Sequence, residues 1–380
     1  MRFRLMPILA LLAFLLLPAT GARAFDTSAK AAIIIDYRTG AVLFEKNADE
    51  RIPPASMSKL MTAYMVFDQL KSGRLRLDDA VLVSERAWKM GGSQMFIEVG
   101  ERVKVEDLIR GVIIQSGNDA CVTLAEAIAG SEEEFARRMN EKATELGLSG
   151  SSFANATGLD APNHLMTVRD LATLAQRIIT DFPEYFKYYS EREFEYAGIK
   201  QPNRNPLLQS GVPGVDGMKT GFTDGAGYGL VATAQRDDRR IITVMAGLET
   251  AGKRRTEGER LLEYGFREFQ EYRIFRSGDT VADADVWLGV LPKVPLTVDR
   301  TVALTLSPEA RKGLAVKVSF ANPVAAPVVA GQEIGRVEVT APGATPISAP
   351  LLAAADVARA GMLGRATSAL NYLIWGAPAS

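Results

Sequence analysis

Ala55-Ser56-Met57-Ser58-Lys59-Leu60-Met61-Thr62 is the stretch that decides how this chain reads. Pro53-Pro54 ends whatever precedes it, because proline neither continues a ladder nor sits inside a helix. From Met57 on, apolar residues recur at helical spacing through Leu60, Met61, Tyr64, Phe67 and Leu70. Ser56 is therefore expected to open a helix, with Lys59 one turn later on the same face. There the free N–H groups and the helix dipole favour developing negative charge. A hydroxyl and an amine held side by side at that place are what a serine–lysine nucleophile pair needs. Taken alone, Ser-x-x-Lys is weak. Helices carry it by chance, with the serine as N-cap and the lysine as a solvated charge.

The chain has 380 residues, enough for two domains with real cores, and a well-mixed net charge of −1 that gives no electrostatic case for nucleic acid. Cys121 is the single cysteine and His164 the single histidine, so no internal disulfide can form and a His/Cys metal site is disfavoured. A Ser–His–Asp triad would have to use His164, which Pro162-Asn163 places on a surface loop. Residues 1–24 read as a secretory signal peptide. Arg2 and Arg4 are its positive start, Leu5 to Leu17 its apolar core and Ala22-Arg23-Ala24 its cleavage site; an uncleaved anchor is the alternative. Either way the protein is expected to act outside the cytoplasm.

Ala31 to Ile35 and Ala41 to Phe44 read as a hairpin about Tyr37-Arg38-Thr39-Gly40. Val105 to Ile114 reads as a buried helix, and Ala120 to Ala129 as another. Ser116-Gly117-Asn118 is the polar break between them, either facing a cleft or forming a plain turn capped by Asn118 or Asp119. Cys121 reads as a small core residue. Ser131-Glu132-Glu133-Glu134 and Thr167-Val168-Arg169-Asp170 look like capping boxes opening two further helices. In Val215 to Thr223, Gly217 and Gly221 allow another backbone to come close, as a strand beside a ligand would require. Tyr228 to Ala234 and Ile241 to Leu248 read as strands, and an amphipathic helix follows Lys253-Arg254-Arg255. Near Phe275 the chain turns to short strands split by Pro and Gly, and from Leu351 it reads as helical again.

Ser56-Met57-Ser58-Lys59, Ser116-Gly117-Asn118 and Lys219-Thr220-Gly221 thus stand in order in helix, junction and strand contexts. Together they form the signature shared by penicillin-binding proteins and class A β-lactamases. The chain resembles the low-molecular-mass penicillin-binding proteins that are D-alanyl-D-alanine carboxypeptidases. Ile109-Arg110-Gly111, Asn203-Arg204-Asn205 and Phe222-Thr223-Asp224 add to the likeness, which runs nearly end to end. It implies an α/β (α+β) fold: a central antiparallel sheet flanked by helices over residues 25–274, a small all-β domain over 275–355 and an amphipathic helix over 356–380. Thr157 and Phe222 stand where some relatives have histidine, which bears on rate and not on reaction class.

The resemblance implies Ser56 as nucleophile and Ser116 as proton relay. Lys59 is the best candidate base, kept neutral by burial and by Lys219 as the nearby cation. Backbone N–H groups of Ser56 and Phe222 would form the oxyanion hole. Asn118 would orient the peptide, and Lys219 and Thr220 of the Gly221 strand, with Arg254 of the later basic run, would hold its terminal carboxylate. Arg254 is also readable as part of a solvated basic run. Peptidoglycan stem peptides are the implied substrate and β-lactams the implied inhibitors, with no cofactor. No Glu-x-x-Leu-Asn segment lies between Asn118 and Lys219, so slow deacylation of a β-lactam is expected. A β-lactamase, a DD-endopeptidase and a non-catalytic wall-binding module are the rival readings. Met362, Leu363, Ala366, Ala369, Leu370, Leu373 and Ile374 fall on one helical face, flanked by Tyr372 and Trp375. That stretch is too short to span a bilayer and fits an interfacial helix on the periplasmic face of the inner membrane, or one packed on the protein itself.

Overall fold

The computed structural model describes residues 25–362 together with Gly364 and Ala366. The expected signal peptide and most of the expected terminal helix lie outside the described residues. The first unit is built on β1 (Ala31–Asp36), β2 (Val42–Lys46), β3 (Val215–Thr223), β4 (Gly227–Arg236) and β5 (Arg239–Leu248), paired antiparallel in the order β2-β1-β5-β4-β3. Every residue of β1 is buried. Its side chains alternate between two cores, as a strand covered on both faces must. Ala31, Ile33 and Ile35 join the larger cluster, while Ala32 and Ile34 join the smaller.

The larger core is completed by α1 (Lys59–Lys71), α2 (Val105–Arg110), α3 (Asn118–Ala129), α4 (Glu132–Glu145) and α5 (Val168–Asp181). The smaller is closed by α6 (Ala251–Arg267), through Leu261 and Leu262. Ser131 accepts from the Glu134 N–H and Thr167 from the Asp170 N–H, so both expected caps form. The β1–β2 turn is organised by the buried Asp36 carboxylate. It accepts from the N–H groups of Arg38 and Thr39 and pairs with Arg239 at 3.1 Å. Thr250 caps α6, so Lys253, Arg254 and Arg255 lie within its first turns instead of before it.

The second unit begins with β6 (Gln270–Phe275), ahead of the expected boundary at 275, because β6 pairs with β9 (Val302–Leu306). A six-stranded sheet follows from β7 (Thr280–Trp287), β8 (Lys293–Val298), β10 (Ala315–Phe320), β11 (Val324–Ala325), β12 (Glu333–Thr340) and β13 (Ile347–Ala353). Its core is mostly valine and leucine, with Val294, Leu296, Val337 and Leu351 fully buried. The expectation of helix from Leu351 fails. Leu351 to Ala353 close β13, and Val357 and Arg359 make further β-bridges, because alternating Leu351 and Ala353 fill this core.

Candidate active site

The chain reaches Ser56 as a tight turn and not as a regular helix start. Ala55–Ser58 is one turn of 3₁₀ helix, with Ala55 at φ 48°, and the α-helix begins at Lys59. Ser56 caps nothing. Its Oγ meets Lys59 Nζ at 2.9 Å. Lys59 is fully buried, and Nζ also reaches Asn118 Oδ1 at 2.7 Å and the Thr157 carbonyl at 2.6 Å. Three oxygens match the three donors of an ammonium. A neutral amine would donate to Asn118 and Thr157 and turn its lone pair to the Ser56 hydroxyl. Burial pushes Lys59 down to about 8, and the Arg204 guanidinium pushes the same way, against Asp119. At neutral pH about a tenth of the molecules then hold it as the free base.

The break after α2 winds into a wider π-type turn, Gly111–Gln115, that ends on Ser116 at φ 62°. Gly117 is the N-cap of α3, so neither Asn118 nor Asp119 caps the helix. Asp119 instead accepts from the N–H groups of Met95, Phe96 and Ala120 at 2.9–3.0 Å, pinning the 95–97 loop beside the cleft. Asn118 donates from Nδ2 to the Gly91 carbonyl at 2.7 Å, so its amide is fixed from both ends. Across the cleft, edge strand β3 supplies Lys219, whose Nζ lies 3.0 Å from Ser116 Oγ and 3.0 Å from the Thr220 carbonyl. Gly221 lets β3 run against the Ser56 turn. A Cβ there would stand 2.9 Å from the Pro54 carbonyl and 3.2 Å from the Ala55 side chain. Phe222, next on the strand, is exposed and tilts against Tyr228.

Lys219 is lowered well below the usual lysine range by burial, then by Lys59 and Arg204. Arg204 thus disfavours the charge of both buried lysines, and Lys59 that of Lys219. Lys219 is the cation expected to act on Lys59, but the one that lowers it is Arg204, which the sequence offers only within Asn203-Arg204-Asn205, as part of the family likeness. Arg254 is not part of a solvated run. It is partly buried against the Tyr228 ring at 5.3 Å, and its Nε has no hydrogen-bond partner among the described residues. Burial, with Arg204 pushing the same way, lowers it too.

His164 corrects the sequence reading most sharply. It is buried, not on the surface, and its Nε2 meets the Oγ of Ser58, not of Ser56, at 2.7 Å. Nδ1 accepts from the Ala154 N–H at 3.2 Å, which puts the ring proton on Nε2, pointing at Ser58. The pair ties the Ser56 turn to the loop that carries the Thr157 carbonyl. Gly158, at φ 79°, allows the closest approach there: a Cβ would lie 2.0 Å from the Ala55 carbonyl oxygen. Cys121 is buried and unpaired in α3.

A serine activated by a buried lysine, with a second serine–lysine pair opposite, defines a serine acyl-transfer enzyme of the penicillin-binding fold. Residues 18–250 match the D-alanyl-D-alanine carboxypeptidase family, and residues 269–359 match the penicillin-binding protein 5 C-terminal domain. The D-alanyl-D-alanine carboxypeptidase DacC of Escherichia coli is 42% identical over 320 residues, 82% of this chain and 80% of its own length. DacF of Bacillus subtilis is 37% identical over 81% of this chain and 80% of its own. Penicillin-binding protein 5 of Haemophilus influenzae superposes with a TM-score of 0.81 at 37% identity, covering 89% of this chain and all of that one. Penicillin-binding protein D2 of Listeria monocytogenes, solved in an ampicillin-bound form, superposes at 0.59 with 34% identity over 64% of this chain and 99% of its own. This chain belongs to the D-alanyl-D-alanine carboxypeptidase family.

Proposed function

We infer that this chain is a serine-type D-Ala-D-Ala carboxypeptidase that binds penicillins and acts in cell-wall metabolism. The observation that carries the reading is the Ser56 Oγ–Lys59 Nζ contact of 2.9 Å, with Lys59 buried and lowered toward neutrality. Neutral Lys59 takes the Ser56 proton, and Oγ attacks the carbonyl of the penultimate D-alanine of a pentapeptide stem. The N–H groups of Ser56 and Phe222 receive the oxyanion. Ser116, held by Lys219, passes a proton to the leaving amine, and the terminal D-alanine departs. Asn118 orients the peptide, while Thr220, Lys219 and Arg254 hold its terminal carboxylate. Water then cleaves the Ser56 ester, with Lys59 again as base, and frees the shortened stem.

A β-lactam acylates the same serine. No Glu-x-x-Leu-Asn segment lies between Asn118 and Lys219 to bring a deacylating glutamate, which supports slow release and hence inhibition. Residues 1–24 direct export, and the terminal segment rests the enzyme on the periplasmic face of the inner membrane. The activity is tested by D-alanine release from a pentapeptide, set beside nitrocefin turnover. Release with slow nitrocefin turnover is expected; rapid nitrocefin turnover without D-alanine release would make this a β-lactamase.

A further inference from the structure

In the second unit, three loops are laced by backbone bonds. The Val290 N–H donates to the Ala358 carbonyl at 2.9 Å and the Ala360 N–H to Leu288 at 2.8 Å. Val328 and Val357 exchange a bridge, and the Ala326 N–H donates to the Trp287 carbonyl at 2.9 Å. Bulky apolar side chains on and just beyond these loops are exposed: Val290 58%, Leu291 50%, Val329 59% and Met362 81%. Single exposed apolar residues are ordinary, but four on one set of joined loops make a patch. The chain around these loops carries both signs, Lys293 and Arg359 with Asp285 and Asp356, so charge is not the patch's attraction.

The chain leaves the β-layer through Arg359 and Ala360, paired with Gly289 and Leu288 beside Val290, and Leu363, Leu370, Tyr372, Leu373, Ile374 and Trp375 follow in sequence. Whatever apolar surface takes up that segment therefore begins beside Val290 and Leu291. Arg365, Ser368 and Asn371 interrupt that segment, which therefore lacks the roughly 20 consecutive apolar residues a span needs, so attachment by the segment alone would be interfacial and shallow. We propose that the patch formed by Val290, Leu291, Val329 and Met362 is a second lipid contact, a wedge on the β-unit that enters the bilayer interface next to the terminal segment. Two apolar contacts flanking one exit point fix the β-unit's footing on the lipid surface, which one swivelling segment cannot do. The inference rests on the anchor reading and extends it.

A Leu291→Cys variant of the full mature chain, labelled with an NBD fluorophore, tests it, because buried Cys121 is shielded from the reagent. Vesicles of phosphatidylethanolamine with a minority of phosphatidylglycerol are the probe, and flotation is measured in parallel. Expected is a water-exposed fluorophore in solution that shifts to the blue on vesicles. A Val290→Ser/Leu291→Ser pair should weaken flotation about tenfold, as removal of two partly inserted side chains requires. A chain that floats while the fluorophore stays water-exposed would overturn the wedge and leave the anchor standing. A fluorophore already blue in solution, and returned to water by truncation after Gly361, would mean that the terminal segment covers the patch, which also overturns it. A chain that does not float at all would remove the anchor reading and the wedge together.

Discussion

The two units differ in what they bury. The first hides Asp36, Ser58, Lys59, Ser116, Asn118, Asp119, Glu132, His164, Lys219 and more; among the described residues 270–359 the buried polar side chain is Thr305, which reaches back to Thr39 of the first unit at 2.9 Å. Burying a polar group costs free energy unless it is paired, and burying a charge costs more. The second unit avoids that cost with a core of valine, leucine and alanine. The first accepts it, most tellingly in the cleft, where desolvation lowers Lys59 to about 8 and Lys219 well below the usual lysine range. Polar burial therefore separates the part of the molecule that reacts from the part that supports.

Changes that touch the reacting groups should break this contrast most. Ser56→Ala should abolish covalent penicillin labelling and lower D-alanine release roughly 10⁴-fold or more, with unchanged circular dichroism. Peptide mapping of the labelled wild type checks it, with the adduct on the Ser56 peptide. Lys59→Arg keeps a cation but cannot yield its proton. It should cost roughly 10³-fold in acylation rate, measured with a fluorescent penicillin, as loss of a general base does.

Leu296→Ala, in the fully buried core of the second unit, sharpens the contrast from the other side. It should cost about 2–5 kcal/mol in that unit's unfolding and leave kcat on a soluble pentapeptide unchanged. Calorimetry with parallel kinetics decides; a kcat that falls in step with stability would mean that the second unit shapes the cleft.

A smaller effect separates polar burial from catalysis itself. Burial, with Lys59 nearby, lowers His164 from 6.5 to about 4, so the folded state stays neutral while the unfolded chain takes up a proton. Stability should therefore fall as pH drops from about 6.5 toward about 4, by up to roughly 3 kcal/mol, and level off below. Denaturant titrations of wild type and His164→Asn should differ in that slope, which the variant loses.

The sequence carried the sheet well, because β1, β4 and β5 are apolar runs whose reading needs no partner. It also carried Ser56, Lys59, Ser116 and Lys219, through three motifs in order. What it hid depends on distant pairings. Ser58 and His164 are 106 residues apart, and Pro162-Asn163 next to the histidine gave a surface signal that packing overrode. Arg204 is a lone charge whose effect on Lys59 appears only when the chain folds around both. Asp119 looked like a cap because caps are local; its partners at 95–97 are not. The β-strand at Leu351 read as helix because its alternation is short and alanine-rich.

The central claim is that buried, neutral Lys59 takes the proton of Ser56. Its most direct test is the second-order rate of Ser56 acylation by a penicillin, measured as a function of pH on the free enzyme. Raising the pH frees the Lys59 amine, so the rate should climb and reach half its plateau near about 8. A rate that is flat through that region, or that climbs with a midpoint near the ordinary histidine value of about 6.5, would contradict it.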